Sequence, residues 1–226
     1  MNKKVWLLAF AAALLADIAG IQMELDWLQW AGKPLILPFL FLYFYSGVRT
    51  VSSPLIKWMY LALFFSWCGD VLLMFQAKEE LFFILGLSAF LMAHIFYILF
   101  FHFIRQKEKI PFNSIFLLVV ILYYVVLMSW LSPYLGPLTL PVRVYGIVIS
   151  LMGMMAMHMT GLPQKKAGWS MLTGAVLFVL SDSVLAINKF YQSFEAAGIL
   201  IMLTYGAAQF YIVKGAIEYL SSRDIK

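Results

Sequence analysis

Apolar residues along this chain come in long runs, one after another, each closed by charges, prolines or glycines. A helix that crosses a bilayer needs roughly 20 mostly apolar residues, and the runs here predict helices at 4–21, 33–47, 55–75, 81–104, 111–131, 140–159, 168–187 and 195–216. The breaks between them fall at Gly32 to Pro34, Ser52 to Pro54, Lys78 to Glu80, Arg105 to Pro111, Ser132 to Pro141, Gly161 to Gly168 and Lys189 to Glu195. The short alternating strands of a membrane β-barrel are absent. The first run contains Asp17 and lacks a small-x-small cleavage site, so it reads as a membrane helix and not as a signal peptide. The expected fold is an all-α membrane protein, a bundle of eight transmembrane helices. It forms a single integral membrane domain over 1–226, with no connection long enough to be a soluble domain.

Composition supports the bilayer as solvent: 64% of the 226 residues are hydrophobic and 12% charged, too little polar surface to clothe a soluble domain of this length. The 16 basic residues orient the bundle. With the N-terminus cytoplasmic, the inner side carries Lys3, Lys4, Arg49, Lys57, Arg105, Lys107, Lys109, Lys165, Lys166, Lys214, Arg223 and Lys226, leaving Lys33, Lys78, Arg143 and Lys189 outside. Both termini are therefore expected to be cytoplasmic, in the inner membrane of a bacterium. The net charge of +5 then reflects this bias and contact with anionic lipids at the cytoplasmic face, with no need for nucleic acid. Cys68 is the only cysteine, so no disulfide framework exists. Aromatics, 17% of the chain, gather near the proposed helix ends as interfacial belts.

The two halves look related. Phe65 to Asp70 followed by Val71, Leu72 and Leu73 resembles the stretch from Phe178 through Ser181 and Asp182 to Leu185, and Gly86 and Gly198 each lie 16 positions after their aspartate. At that 112-residue offset the first four helices superpose on the last four. A parallel four-plus-four duplication would bring both aspartates near a pseudo-twofold interface.

An ionisable side chain within a span is costly to insert, so each needs a partner or a function. Asp17, Lys33, Asp70, His94, Arg143, Asp182 and Lys189 all fall in the outer half or near the midplane of this topology. Asp70 and Asp182 lie about a turn from the outer ends of the third and seventh helices, next to Gly69 and Ser181, with Ser66 one turn below Asp70. Two carboxyls in low dielectric can divide the work of general acid and base. The plainer reading makes each a cap or a counter-charge to Lys33, Arg143 or Lys189. Lys33 and Arg143 open the second and sixth helices, two cations where a phosphate headgroup would lie, although a single Lys or Arg near a helix end commonly snorkels. Lys189, seven residues after Asp182, shares its helical face and can pair with it.

On the fourth helix Gly86, Phe90, His94 and Tyr97 form one stripe, and on the eighth Tyr205 and Gln209 do likewise. His94 can relay protons or orient a carboxyl, or simply donate to a neighbouring helix. His102 and His158 lie toward the inner side, away from His94, and no metal or other cofactor is expected. No glycine-rich phosphate loop, Gly-x-Ser-x-Gly elbow or His-Glu-x-x-His motif occurs.

The ordered series Lys33-Pro34-Leu35, Gly69-Asp70, Phe83-x-x-Gly86-x-x-x-Phe90-x-x-x-His94-x-x-Tyr97, Tyr145-Gly146, Gly174-Ala175-x-Leu177-Phe178-x-x-Ser181-Asp182 and Thr204-Tyr205 with Gln209 resembles the YhhN-like lysoplasmalogenase family. The resemblance runs from the second helix to the eighth. It implies an integral membrane hydrolase that cleaves the vinyl ether bond of lysoplasmalogens, with a lysophospholipid in the membrane as substrate. Asp70 and Asp182 would then supply acid and base, the choice between them open because a coupled pair titrates together. Lys33, with Arg143, would hold the phosphate, and His94, Tyr145, Tyr205 and Gln209 would orient the carboxyls and water. Competing readings are a lipid or small-solute transporter with coupled intramembrane carboxylates, an intramembrane aspartyl protease lacking the first glycine of Gly-x-Gly-Asp, and a scaffold that leaves the buried charges unexplained.

Overall fold

A computed structural model describes residues 3–222, so Arg223 and Lys226, counted above on the inner side, lie outside the described residues. Eight helices long and apolar enough to cross a membrane make up almost all of it, and the described residues contain no strand. They are α1 (Lys3–Gln22), α2 (Asp26–Val48), α3 (Ile56–Leu73), α4 (Glu80–Lys107), α5 (Ser114–Leu131), α6 (Thr139–His158), α7 (Lys165–Ala186) and α8 (Ala197–Ser221).

Local chemistry explains several of these ends. Asn113 caps α5 by accepting the Ile115 N–H at 3.0 Å, and α4 carries Glu80 in its first turn and Arg105 and Lys107 in its last, in the sense the helix dipole favours. Large apolar side chains point outward, as hydrocarbon allows: on α5, Leu118, Leu122 and Val126 are all exposed.

Two expectations are corrected. The helix expected at 33–47 begins seven residues earlier, at Asp26. Gly32-Lys33-Pro34 is therefore not a break, and Lys33 sits about two turns inside α2. Pro34 removes one backbone donor without ending the helix; the Pro34 carbonyl in turn accepts the indole N–H of Trp67 from α3 at 3.0 Å. At the other end, α7 does not stop at a loop but widens into a π turn over Ile187–Tyr191, which shifts the facing of everything beyond Ala186.

Neighbours in the chain pack as hairpins, α1 with α2, α3 with α4 and α7 with α8. Between α7 and α8 the backbones nearly touch: a Cβ on Gly174 would lie 2.6 Å from the Ala208 carbonyl oxygen. Three helix contacts match the expected internal repeat. The α3/α4 contact has its counterpart in α7/α8, α2/α3 in α6/α7, and α4/α6 in α8/α2. Tyr97 and Gln209 are equivalent positions, 112 apart, and they meet: the Tyr97 hydroxyl donates to Gln209 Oε1 at 2.6 Å. A contact between a residue and its own symmetry mate lies on the axis, so this bond marks where the halves join.

Candidate active site

α3 and α8 build the first of two polar clusters. Asp70, 3% exposed, accepts a hydrogen bond from Tyr205 at 2.7 Å. Its neighbour Gly69 lets the Phe90 ring of α4 lie against α3, where a Cβ would come within 2.6 Å of that ring. One turn below, Gln209 donates through Nε2 to Ser66 at 3.0 Å while Oε1 accepts from Tyr97. Both ends of this fully buried amide are satisfied, which fixes its orientation.

The second cluster joins α4, α6 and α7. Tyr145 donates a short hydrogen bond to Asp182 Oδ2, and His94 Nε2 lies 2.9 Å from the Tyr145 hydroxyl and 3.4 Å from the same carboxyl oxygen. His94 is fully buried, and its Nδ1 has no partner among the described residues. Beside Asp182, Ser183 donates to the Val179 carbonyl at 2.5 Å and accepts from Tyr123 at 2.8 Å. A cavity of about 30 Å³ opens here, lined by Tyr123, Val142, Tyr145, Asp182 and Ser183, which is room for a water molecule. The Phe178 ring stands between the clusters, edge to face with His94 at 4.7 Å and with Tyr205 at 5.4 Å.

Of the residues singled out in the sequence, Asp70, Ser66, Tyr205 and Gln209 come together in one cluster, and Asp182, Tyr145 and His94 in the other. Lys33 is half-buried above an apolar groove of about 360 Å³ between α2 and α3, lined by Leu37, Pro38, Phe41, Leu63, Phe64 and Trp67. Three others are placed elsewhere. Arg143 is exposed in the first turn of α6, not at its opening residue, and its guanidinium donates to Ser132 at 3.1 Å. Lys189 does not pair with Asp182: the π turn rotates it away, and its ammonium lies 4.9 Å above the Phe83 ring. Ser181 is buried and donates to the Ile201 carbonyl at 3.0 Å, tying α7 to α8.

Tyr123 and Phe178 had no role assigned from sequence. Tyr123 stands out as a polar handle inside an otherwise apolar helix, whereas nothing in the sequence marks Phe178 as the ring that packs against both clusters.

Eight helices long and apolar enough to cross a membrane, with two carboxyl–tyrosine clusters among their buried polar groups, define an integral membrane protein with carboxyl groups inside its bundle. The chain belongs to the YhhN family, whose model matches residues 28–216. It is similar to human lysoplasmalogenase TMEM86B, 36% identical over 196 residues, covering 85% of this chain and 78% of that protein. Human lysoplasmalogenase TMEM86A is 30% identical over 188 residues, 82% of this chain and 75% of its own. A lysoplasmalogenase of Mycobacterium tuberculosis is 32% identical over 162 residues, 70% of this chain and 60% of its own. No solved structure matches.

Proposed function

We propose that this protein is a membrane lysoplasmalogenase, cleaving the vinyl ether bond of lysoplasmenylcholine or lysoplasmenylethanolamine to a fatty aldehyde and glycerophosphocholine or glycerophosphoethanolamine. The observation that carries the reading is the pair of aspartates on equivalent helices, each held by a tyrosine hydroxyl but set in different surroundings. Vinyl ether hydrolysis needs two such groups. A proton goes to the vinyl carbon remote from oxygen, which leaves an oxocarbenium-like cation, and water adds to the carbon bonded to oxygen while losing a proton. The hemiacetal so formed collapses, its hydroxyl proton passing to the glycerol oxygen as the aldehyde leaves.

In this reading Asp70, away from the small cavity, delivers the proton. Asp182 borders a space of water's size and accepts the proton that water loses, oriented by Tyr145 and His94. Lys33 meets the phosphate as a point charge, and the alkenyl chain lies in the apolar groove below it, between α2 and α3. The basic-residue bias puts both termini in the cytoplasm of the host cell, anionic lipids against the inner face and the site in the outer half of the membrane.

The test offers the purified protein lysoplasmenyl and ordinary acyl lysophospholipids side by side, with mass spectrometry of the products. Fatty aldehyde from the former alone is expected. Release of fatty acid from the latter, or no aldehyde at all, overturns the assignment.

A further inference from the structure

One buried carboxyl is left without a role by the reaction just described. Asp17 of α1 is fully buried, and neither of its carboxyl oxygens has a hydrogen-bond partner among the described residues. It belongs to the stripe Phe10, Ala13, Asp17 and Gly20, the buried face of α1, and α1 packs along α2. The contact at Asp17 is close because α2 presents Gly32 there: a Cβ on Gly32 would lie 2.9 Å from the Asp17 backbone nitrogen. The next residue along α2 is Lys33. α1 also lies outside the segment that the family model matches, which begins at residue 28.

An unpartnered carboxyl in a membrane interior is expensive, and an apolar side chain would fill the same interface at no such cost. Its presence calls for a compensating cation, and the close contact at Gly32 sets Lys33, the next residue of α2, beside this turn of α1. The residue after it, Pro34, accepts the indole N–H of Trp67, which lies one turn before Asp70 on α3. A lysine on a flexible stem that saw only Asp70 would settle on it, covering the proton donor and hiding its own charge from an incoming headgroup. With Asp17 close by as well, the ammonium is shared between two carboxyls and keeps a donor for a third anion.

We propose that Asp17 is a positioning residue: it holds the Lys33 ammonium at the level of Asp70, poised for the phosphate of a lysophospholipid headgroup. The proposal rests on the lysoplasmalogenase reading for its substrate, and on the α1–α2 geometry for everything else.

The test uses a ligand with no vinyl ether to cleave, 1-alkyl-lysophosphoethanolamine, and its phosphate-free counterpart, 1-alkylglycerol, titrated calorimetrically into the full-length protein in detergent. Asp17→Asn and Lys33→Met are each expected to weaken the phosphate-bearing ligand about tenfold, and the double variant no more than Lys33→Met alone, the non-additivity of one linked unit. Asp17→Glu, which keeps the charge, is expected to recover most of the loss. The alkylglycerol should bind every variant within about twofold of the parent, which also verifies that each is folded. Full additivity of the two substitutions, an equal loss for both ligands, or unchanged phosphate-ligand binding in Asp17→Asn would overturn the proposal. Aldehyde release by the parent protein, measured alongside, reports separately on the activity: its absence, with the binding pattern intact, overturns the proposed reaction and not the role of Asp17.

Discussion

The two halves of the bundle share a plan and differ in what they place around their aspartates. Asp70 and Asp182 are equivalent positions, and so are Lys33 and Tyr145, 112 residues apart in both cases. Where one half carries a lysine at this position, the other carries a phenol in direct hydrogen bond with its carboxyl. Asp70 is 3% exposed and held by Tyr205, whereas Asp182 has a side chain 13% exposed, touches both Tyr145 and His94, and borders a small cavity. Two matching positions thus hold carboxyls in unlike settings, the precondition for unlike roles.

The strongest way to break this comparison is to remove each carboxyl in turn. Asp70→Asn is expected to lower kcat for aldehyde release by about 10³-fold or more, with the protein still folded, and Asp182→Asn by about 10²-fold. Equal losses, with a double variant no worse than either, would mean the two act as one unit and not as acid and base. Smaller effects sharpen the contrast between the tyrosines. Tyr145→Phe leaves the His94–Asp182 contact without its shared hydroxyl and should cost about 30-fold in kcat, Tyr205→Phe about tenfold. Parity between these two variants in steady-state kinetics would count against the asymmetry.

The helix contacts differ between the halves as well. Gly174, pressed on the Ala208 carbonyl, is equivalent to Ala62, which is fully buried and accommodates its methyl group. Gly174→Ala should lower stability by about 2–3 kcal/mol, read as a fall in Tm in detergent, while Ala62→Gly costs about 1 kcal/mol from helix propensity. At the bottom of the scale, Arg143→Ala should leave kcat/KM within about twofold of the parent, because its guanidinium faces Ser132 at the exposed end of α6. A tenfold rise in KM would return Arg143 to the phosphate site.

Hydropathy made the eight spans legible because bilayer thickness sets their length, and the two aspartates stood out because a charge is rare there. What hydropathy does not encode is rotation about the helix axis. Lys189 was expected to share the face of Asp182 on a regular helix, and the π turn after Ala186 moved it. Gly-Lys-Pro predicts a helix opening at Lys33 because it is punctuation in water; within a membrane the helix runs through it. The partnership of Tyr97 with Gln209 needs two helices far apart in sequence to meet, and only the offset between the halves hints at it.

The groove between α2 and α3 has a consequence for how this protein is to be measured. Phe64, which lines it, is half exposed on the outside of the bundle, where a bilayer's hydrocarbon would lie. A lipid that arrives by that route is counted per neighbouring lipid, not per litre. Saturation should then follow the mole fraction of substrate in the bilayer or micelle, and adding inert detergent at fixed substrate should slow turnover by surface dilution.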